Sequence, residues 1–119
     1  MLLKESDTGL WELPGGRVET NEVLQPHWEI LGRELREELG TDLRVEVGPP
    51  IVTWTRSAAG QCAFLVGFLC PYRGGSIRLS PEHVEARWLA QADASSIPLA
   101  PGYDECLRQF WAGAGRLAR

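Results

Sequence analysis

The chain has 119 residues, with 16 acidic against 12 basic side chains and a net charge of −4, which suits one modest core and leaves no room for a second domain. No basic cluster offers a footprint for a nucleic acid polymer, and the longest apolar run, Cys62 to Cys70, falls short of the roughly 18–20 residues that cross a bilayer, so no membrane partner is expected. No charged segment followed by an apolar stretch and a cleavage site opens the chain, so the expected location is cytoplasmic.

Leu2 to Lys4 and Leu10 to Leu13 read as strands separated by the turn-like Ser6-Asp7-Thr8-Gly9. A diglycine, Gly15-Gly16, follows; without a Cβ it lets backbone approach a ligand closely. Pro26 lacks an N–H and suits the first turn of a helix, so a helix is placed at about 26–39. Trp28, Leu31, Leu35 and Leu39 form its inward stripe and Gly40 closes it. Leu43 to Val47 and Ile51 to Arg56 look extended, interrupted by Gly48-Pro49-Pro50. Gln61 to Cys70 is a continuous apolar run, expected as a central strand covered on both faces. Tyr72-Arg73-Gly74-Gly75 reads as a turn, and Ile77 to Leu79 and Ala86 to Leu89 as short strands around a loop at Ser80-Pro81-Glu82-His83. Tyr103, Leu107, Phe110 and Trp111 recur at helical spacing, giving a closing helix at about 103–112 whose tail, Ala112 to Arg119, is expected to fray. Cys62, Cys70 and Cys106 are odd in number and lack CxxC spacing, so they are expected buried, reduced and inert.

The chemistry is concentrated in Arg33-Glu34-Leu35-Arg36-Glu37-Glu38-Leu39-Gly40. At helical spacing Glu34 lies one turn below both Glu37 and Glu38, and like charges so placed repel by roughly 0.2–0.5 kcal/mol per pair. A divalent cation would reverse that sign. The same residues also suit an ordinary solvated helix in which Arg33 and Arg36 neutralise their neighbours.

With the diglycine and Glu22 ahead of it, this segment resembles the Nudix box, Gly-x5-Glu-x7-Arg-Glu-U-x-Glu-Glu-x-Gly-U, where U is bulky and apolar. Gly16-x5-Glu22 and Arg33 to Gly40 fit; ten residues rather than seven separate Glu22 from Arg33, and Thr41 stands at the last U. Pro26 places the insertion in the loop before the helix, leaving the metal-ligand half intact and Glu22 as the residue whose geometry is at stake. Glu82-His83-Val84-Glu85-Ala86-Arg87-Trp88-Leu89 resembles the family's acidic segment before a Trp-containing strand.

The resemblance implies an α/β fold, a Nudix-type α/β/α sandwich with a mixed sheet, with residues 1–119 as one domain lacking the usual opening strand. A sheet edge left bare there could be covered by a second copy, giving a homodimer. It further implies hydrolysis of a phosphoanhydride in a nucleoside diphosphate linked to another group. Glu37 and Glu38 become the principal metal ligands, Glu34 a further one and the Gly15 carbonyl a backbone ligand. Oxygen-only ligands favour Mg²⁺ or Mn²⁺. Arg33 orients the glutamates, and its bland role is a helix ion pair. Glu82 and Glu85, as well as a helix glutamate, are candidates for general base, though either loop residue also suits a solvated charge. Gly16, Glu22 and Gly40 are structural.

Trp54, Phe64, Trp88 and Tyr103 could stack on a base or belong to the core, and Arg17, Arg56 and Arg78 could meet phosphates. His27 and His83 are read as surface residues. The proline that marks ADP-ribose hydrolases is absent near Arg56 and Ser57, as is the SQPWPFP-like segment of NADH hydrolases, which leaves a nucleoside triphosphate or small nucleotide derivative as the default substrate. Two alternatives stand beside this: a catalytically silent Nudix-fold module that binds a nucleotide or partner, and an α+β interaction domain with a fortuitous acidic helix.

Overall fold

The computed structural model describes residues 1–117, the side chains of residue 58 and of residues 114–117 apart. Three antiparallel strands form the first sheet: β1 (Leu2–Glu5) lies between β2 (Trp11–Glu12) and β7 (His83–Arg87). Leu3 pairs with Glu12 on one side and Ala86 on the other, and a bulge between Lys4 and Glu5 brings Glu5 opposite His83. That register places the acidic loop before β7 beside the segment leaving β2. β3 (Arg44–Val45) and β6 (Tyr72–Gly74) make a short ladder, and β4 (Pro50–Ala58) and β5 (Gln61–Phe68) a long hairpin. Ala59 and Gly60 turn that hairpin with φ of 53° and 76°, the positive φ pair that matches strand twist.

Three helices complete the chain: α1 (His27–Leu39), a short α2 (Gln91–Ala94) and α3 (Tyr103–Leu117). The class is α/β as expected. The named strand pairs are all antiparallel, and parallel character enters through a bridge between Trp11 and Leu99. Trp11 N–H donates to the Pro98 carbonyl at 2.9 Å and Ala100 N–H to the Trp11 carbonyl at 2.8 Å, so the segment before α3 is fastened to β2.

Trp54, Val52, Ala100, Tyr103 and Cys106 form the main core cluster between β4 and α3, with the Trp54 and Tyr103 rings 5.4 Å apart. Gln109 on α3 closes against the strand backbone, donating to the Thr53 carbonyl at 2.7 Å and accepting from its N–H at 3.2 Å. Leu2, Leu3, Trp11 and Leu39 are buried as well, and removing a Leu of this kind from water is worth roughly 1.5–3 kcal/mol.

Several expectations change. β5 is not a covered central strand: Phe64 is 71 % exposed and it pairs with β4 among the described residues, because an apolar run specifies extended structure without specifying a second neighbour. Cys62 on that strand is correspondingly exposed, while Cys106 is buried and Cys70 half-buried, all three free. Trp28 is 56 % exposed, so the inward stripe of α1 narrows toward Leu39. Residues 77–79 form no strand; their backbone instead serves α1, Arg78 N–H donating to the Leu39 carbonyl at 2.8 Å and Ser80 N–H to the Glu38 carbonyl at 3.2 Å. Two of the orphan carbonyls at a helix C-terminus are thereby satisfied. The 72–75 turn contributes a strand, β6, whose last residue Gly74 and the following Gly75 take φ of 116° and 93°. The last helix continues to Leu117 rather than fraying from Ala112, and residues 118–119 of the expected tail lie outside the described ones. No helix among the described residues is long and apolar enough to cross a membrane.

Candidate active site

Pro26, with φ −66° and ψ 150°, stands as the N-cap of α1, and Gly40 ends it at φ 87° with its N–H on the Arg36 carbonyl at 3.0 Å. The loop ahead of the helix contains a 3₁₀ turn at Thr20–Glu22 and a further turn closed by Gln25 N–H on the Glu22 carbonyl at 2.8 Å. The extra residues are spent here: Val23 is 70 % and Leu24 96 % exposed. Glu22, the residue that the insertion put at stake, is buried and keeps its place.

Arg33 is the hub. Its Nε and Nη2 grip Glu22 at 2.5 and 2.7 Å, Nη2 also reaches Glu34 at 2.7 Å and the Arg17 carbonyl at 3.1 Å, and Nη1 holds Glu37 at 3.0 Å. The fork geometry of a guanidinium allows one residue to serve three carboxylates at once. Its hydrogen bond to Glu22 and those to Glu37 and Glu34 raise the Arg33 pKa above the ordinary arginine value, and the same contact with Arg33 holds Glu22 below the usual carboxylate range.

Two carboxylates behave in the opposite way. Burial raises Glu34 despite Arg33, and burial pushes Glu38 up to about 7 even though Gly15 N–H donates to its Oε2 at 2.9 Å. The diglycine lies directly over this pair. Gly15 has φ 150°, and a Cβ at Gly16 would displace the Glu34 carboxylate from its present place, so this arrangement of backbone over carboxylate depends on glycine. Gly15, Gly16, Arg17, Arg33, Glu34, Glu37, Glu38 and Glu82 line one open cleft, with the loop from Val18 to Asn21 forming its rim.

Other expected site residues lie elsewhere. Glu85 pairs with Arg87 on β7 and does not line the cleft. Trp54 is buried in the core against Tyr103, which removes its face from any base-stacking role. Arg56 sits with Nη1 3.9 Å from Glu12 Oε2, away from the cleft lining. Of the other aromatic candidates Tyr103 is buried, whereas Phe64 and Trp88 are exposed outside the cleft.

The sequence reading missed Glu12 and His83. His83, expected at the surface, is buried, and its Nε2 lies 2.9 Å from Glu12 Oε1. The register of β1 against β7 turns this side chain inward, and only the pairing of Glu5 with His83 reveals it. A ring nitrogen of His83 and one oxygen each of Glu38 and Glu82 lie within 4.8 Å of one another. Crowded carboxylates around a glycine turn, two with pKa values raised by burial, are a donor set that a hard divalent cation fits and that is costly without one.

The NUDIX domain family model matches residues 1–110. The chain is 33 % identical over 109 residues to the CTP pyrophosphohydrolase of Escherichia coli (strain K12), covering 92 % of this chain and 76 % of that protein. It is 33 % identical over 95 residues to a MutT-like protein of Streptomyces ambofaciens, covering 80 % of this chain and 57 % of the relative. The solution structure of the E. coli ORF135 protein superposes with a TM-score of 0.75 at 32 % identity, covering 99 % of this chain and 82 % of that one.

Proposed function

The chain belongs to the NUDIX domain family and is a hydrolase acting on nucleotide pyrophosphate bonds, and on that premise we propose that it cleaves a nucleoside triphosphate in a reaction dependent on Mg²⁺ or Mn²⁺. CTP is the first substrate to try, since a relative covered over 76 % of its length is named for it. The observation that carries this reading is the Arg33 hub, which gathers Glu22, Glu34 and Glu37 beside Glu38 and the diglycine. Residues 1–119 act as a single domain in this reading.

Glu34, Glu37, Glu38 and the Gly15 carbonyl are the residues that would hold the cation. When bound it neutralises phosphate charge and lowers the pKa of a water. Arg33 keeps the carboxylates in register, and Glu22 anchors Arg33. Arg17, exposed at the cleft, meets the outgoing phosphates. Glu82, facing the acidic helix across the cleft, takes the proton from the attacking water on whichever of its two carboxylate oxygens holds no cation. Attack at the α-phosphorus breaks the α–β bridge and releases nucleoside monophosphate and pyrophosphate.

The test is incubation with Mg²⁺ or Mn²⁺ and a panel of nucleoside triphosphates, ADP-ribose, dinucleoside polyphosphates and nucleotide sugars, with Glu38→Gln as control. Metal-dependent pyrophosphate release from CTP by the native chain alone supports the reading. Silence on triphosphates with turnover of another class overturns the substrate, and silence across the panel overturns the mechanism.

A further inference from the structure

Beneath the cleft, His83 is held in a way that the acidic helix does not require. Its side chain is 1 % exposed, and Nε2 is 2.9 Å from Glu12 Oε1. Nδ1 is enclosed and has no hydrogen-bond partner among the described residues. A buried polar atom without a partner calls for an occupant that would satisfy it. The neighbours are suited to a cation: oxygens of Glu38 and Glu82 and a ring nitrogen of His83 lie within 4.8 Å of one another. Ligands of one first-row divalent ion sit about 2.0–2.2 Å from it, so any two are at most about 4.4 Å apart. At equal separations three such donors stand at most about 3.8 Å apart, so closure around an ion draws these side chains in by up to about 1 Å each. Glu12, with Arg56 3.9 Å from its other oxygen, occupies the position of the carboxylate that fixes ring orientation and basicity in metal-bound histidines.

We propose that His83 is a nitrogen ligand of a divalent cation shared with Glu38 and Glu82, oriented by Glu12, and that this donor set favours Mn²⁺ over Mg²⁺. The inference rests on the assignment of Glu38 as a metal ligand above. Imidazole is a poor partner for Mg²⁺, which keeps oxygen ligands and water, and a good one for first-row transition ions. The site would thus discriminate between two cations that the carboxylates alone treat more evenly.

The test is electron spin-echo spectroscopy of the full chain with Mn²⁺ alone. The native protein should show ¹⁴N modulation from a directly bound imidazole. The chain has two histidines, so His27→Asn should retain the modulation and His83→Asn should lose it. In competition titrations the ratio of Mn²⁺ to Mg²⁺ affinity should fall at least about tenfold in His83→Asn. Bound Mn²⁺ without nitrogen modulation in the native chain overturns the proposal whether or not the variant folds, as does modulation that survives in His83→Asn. Failure to bind Mn²⁺ at all overturns the metal-dependent reading together with this one, whereas binding and turnover without a nitrogen ligand overturn only this one.

Discussion

Replacing Glu38 by Gln should stabilise the metal-free protein while destroying its activity. The carboxylate is buried, which lifts its pKa from the ordinary value of 4.5 to about 7. Between those values the folded state holds a proton that the unfolded chain has released, so this group's contribution is complete below 4.5 and is lost as pH rises through 7. A sealed site would make that loss roughly 3 kcal/mol; the opening of the cleft to water lowers it to about 1–2 kcal/mol. Glutamine keeps the acceptor for the Gly15 N–H, now 2.9 Å from Oε2, and carries no charge at any pH. In EDTA at pH 8, Glu38→Gln should therefore melt about 4–8 °C above the native chain, and the gap should close toward pH 5. Added Mg²⁺ or Mn²⁺ should stabilise the native protein and not the variant. Thermal unfolding at a series of pH values, with and without metal, reads all of this. A variant no more stable at pH 8, or a gap that persists unchanged at pH 5, refutes the reasoning.

Arg33→Lys retains a charge but loses the fork that serves Glu22, Glu34 and Glu37, so turnover should fall by roughly tenfold or more; steady-state kinetics with an unchanged rate would show that the hub is only an exposed ion-pair network. Deleting Val23 to Gln25, an exposed stretch of the lengthened loop, should leave Mn²⁺ binding intact by calorimetry, and loss of binding would mean that the loop shapes the site. Gln109→Ala removes two hydrogen bonds to Thr53 and should cost about 1 kcal/mol in urea unfolding with no change in turnover.

The acidic helix, its proline start and its glycine stop were legible because each depends on local chemistry: a missing N–H, an absent Cβ, a spacing of three and four. Glu22 was harder, since the insertion lengthens its separation from Arg33 in sequence, yet the two side chains meet directly beside the 3₁₀ turn that ends at Glu22. His83 was illegible because its burial follows from a bulge in a ladder joining β1 to β7, some eighty residues apart in sequence. Trp54 and Arg56 illustrate the converse. Residue type alone suggested stacking and phosphate contacts, yet strand register assigns one to the core and the other to Glu12. Residues 77–79 had a strand's composition, but the open carbonyls at the end of α1 take the N–H of Arg78 and that of the following Ser80.

The most direct test of the central claim is the rate of pyrophosphate release from CTP against Mg²⁺ concentration, measured side by side for the native chain and Glu38→Gln. The account predicts saturable, metal-dependent release by the native chain and a rate lower by orders of magnitude in a variant that still unfolds cooperatively. Equal rates in the two proteins, or release that ignores Mg²⁺, would contradict it.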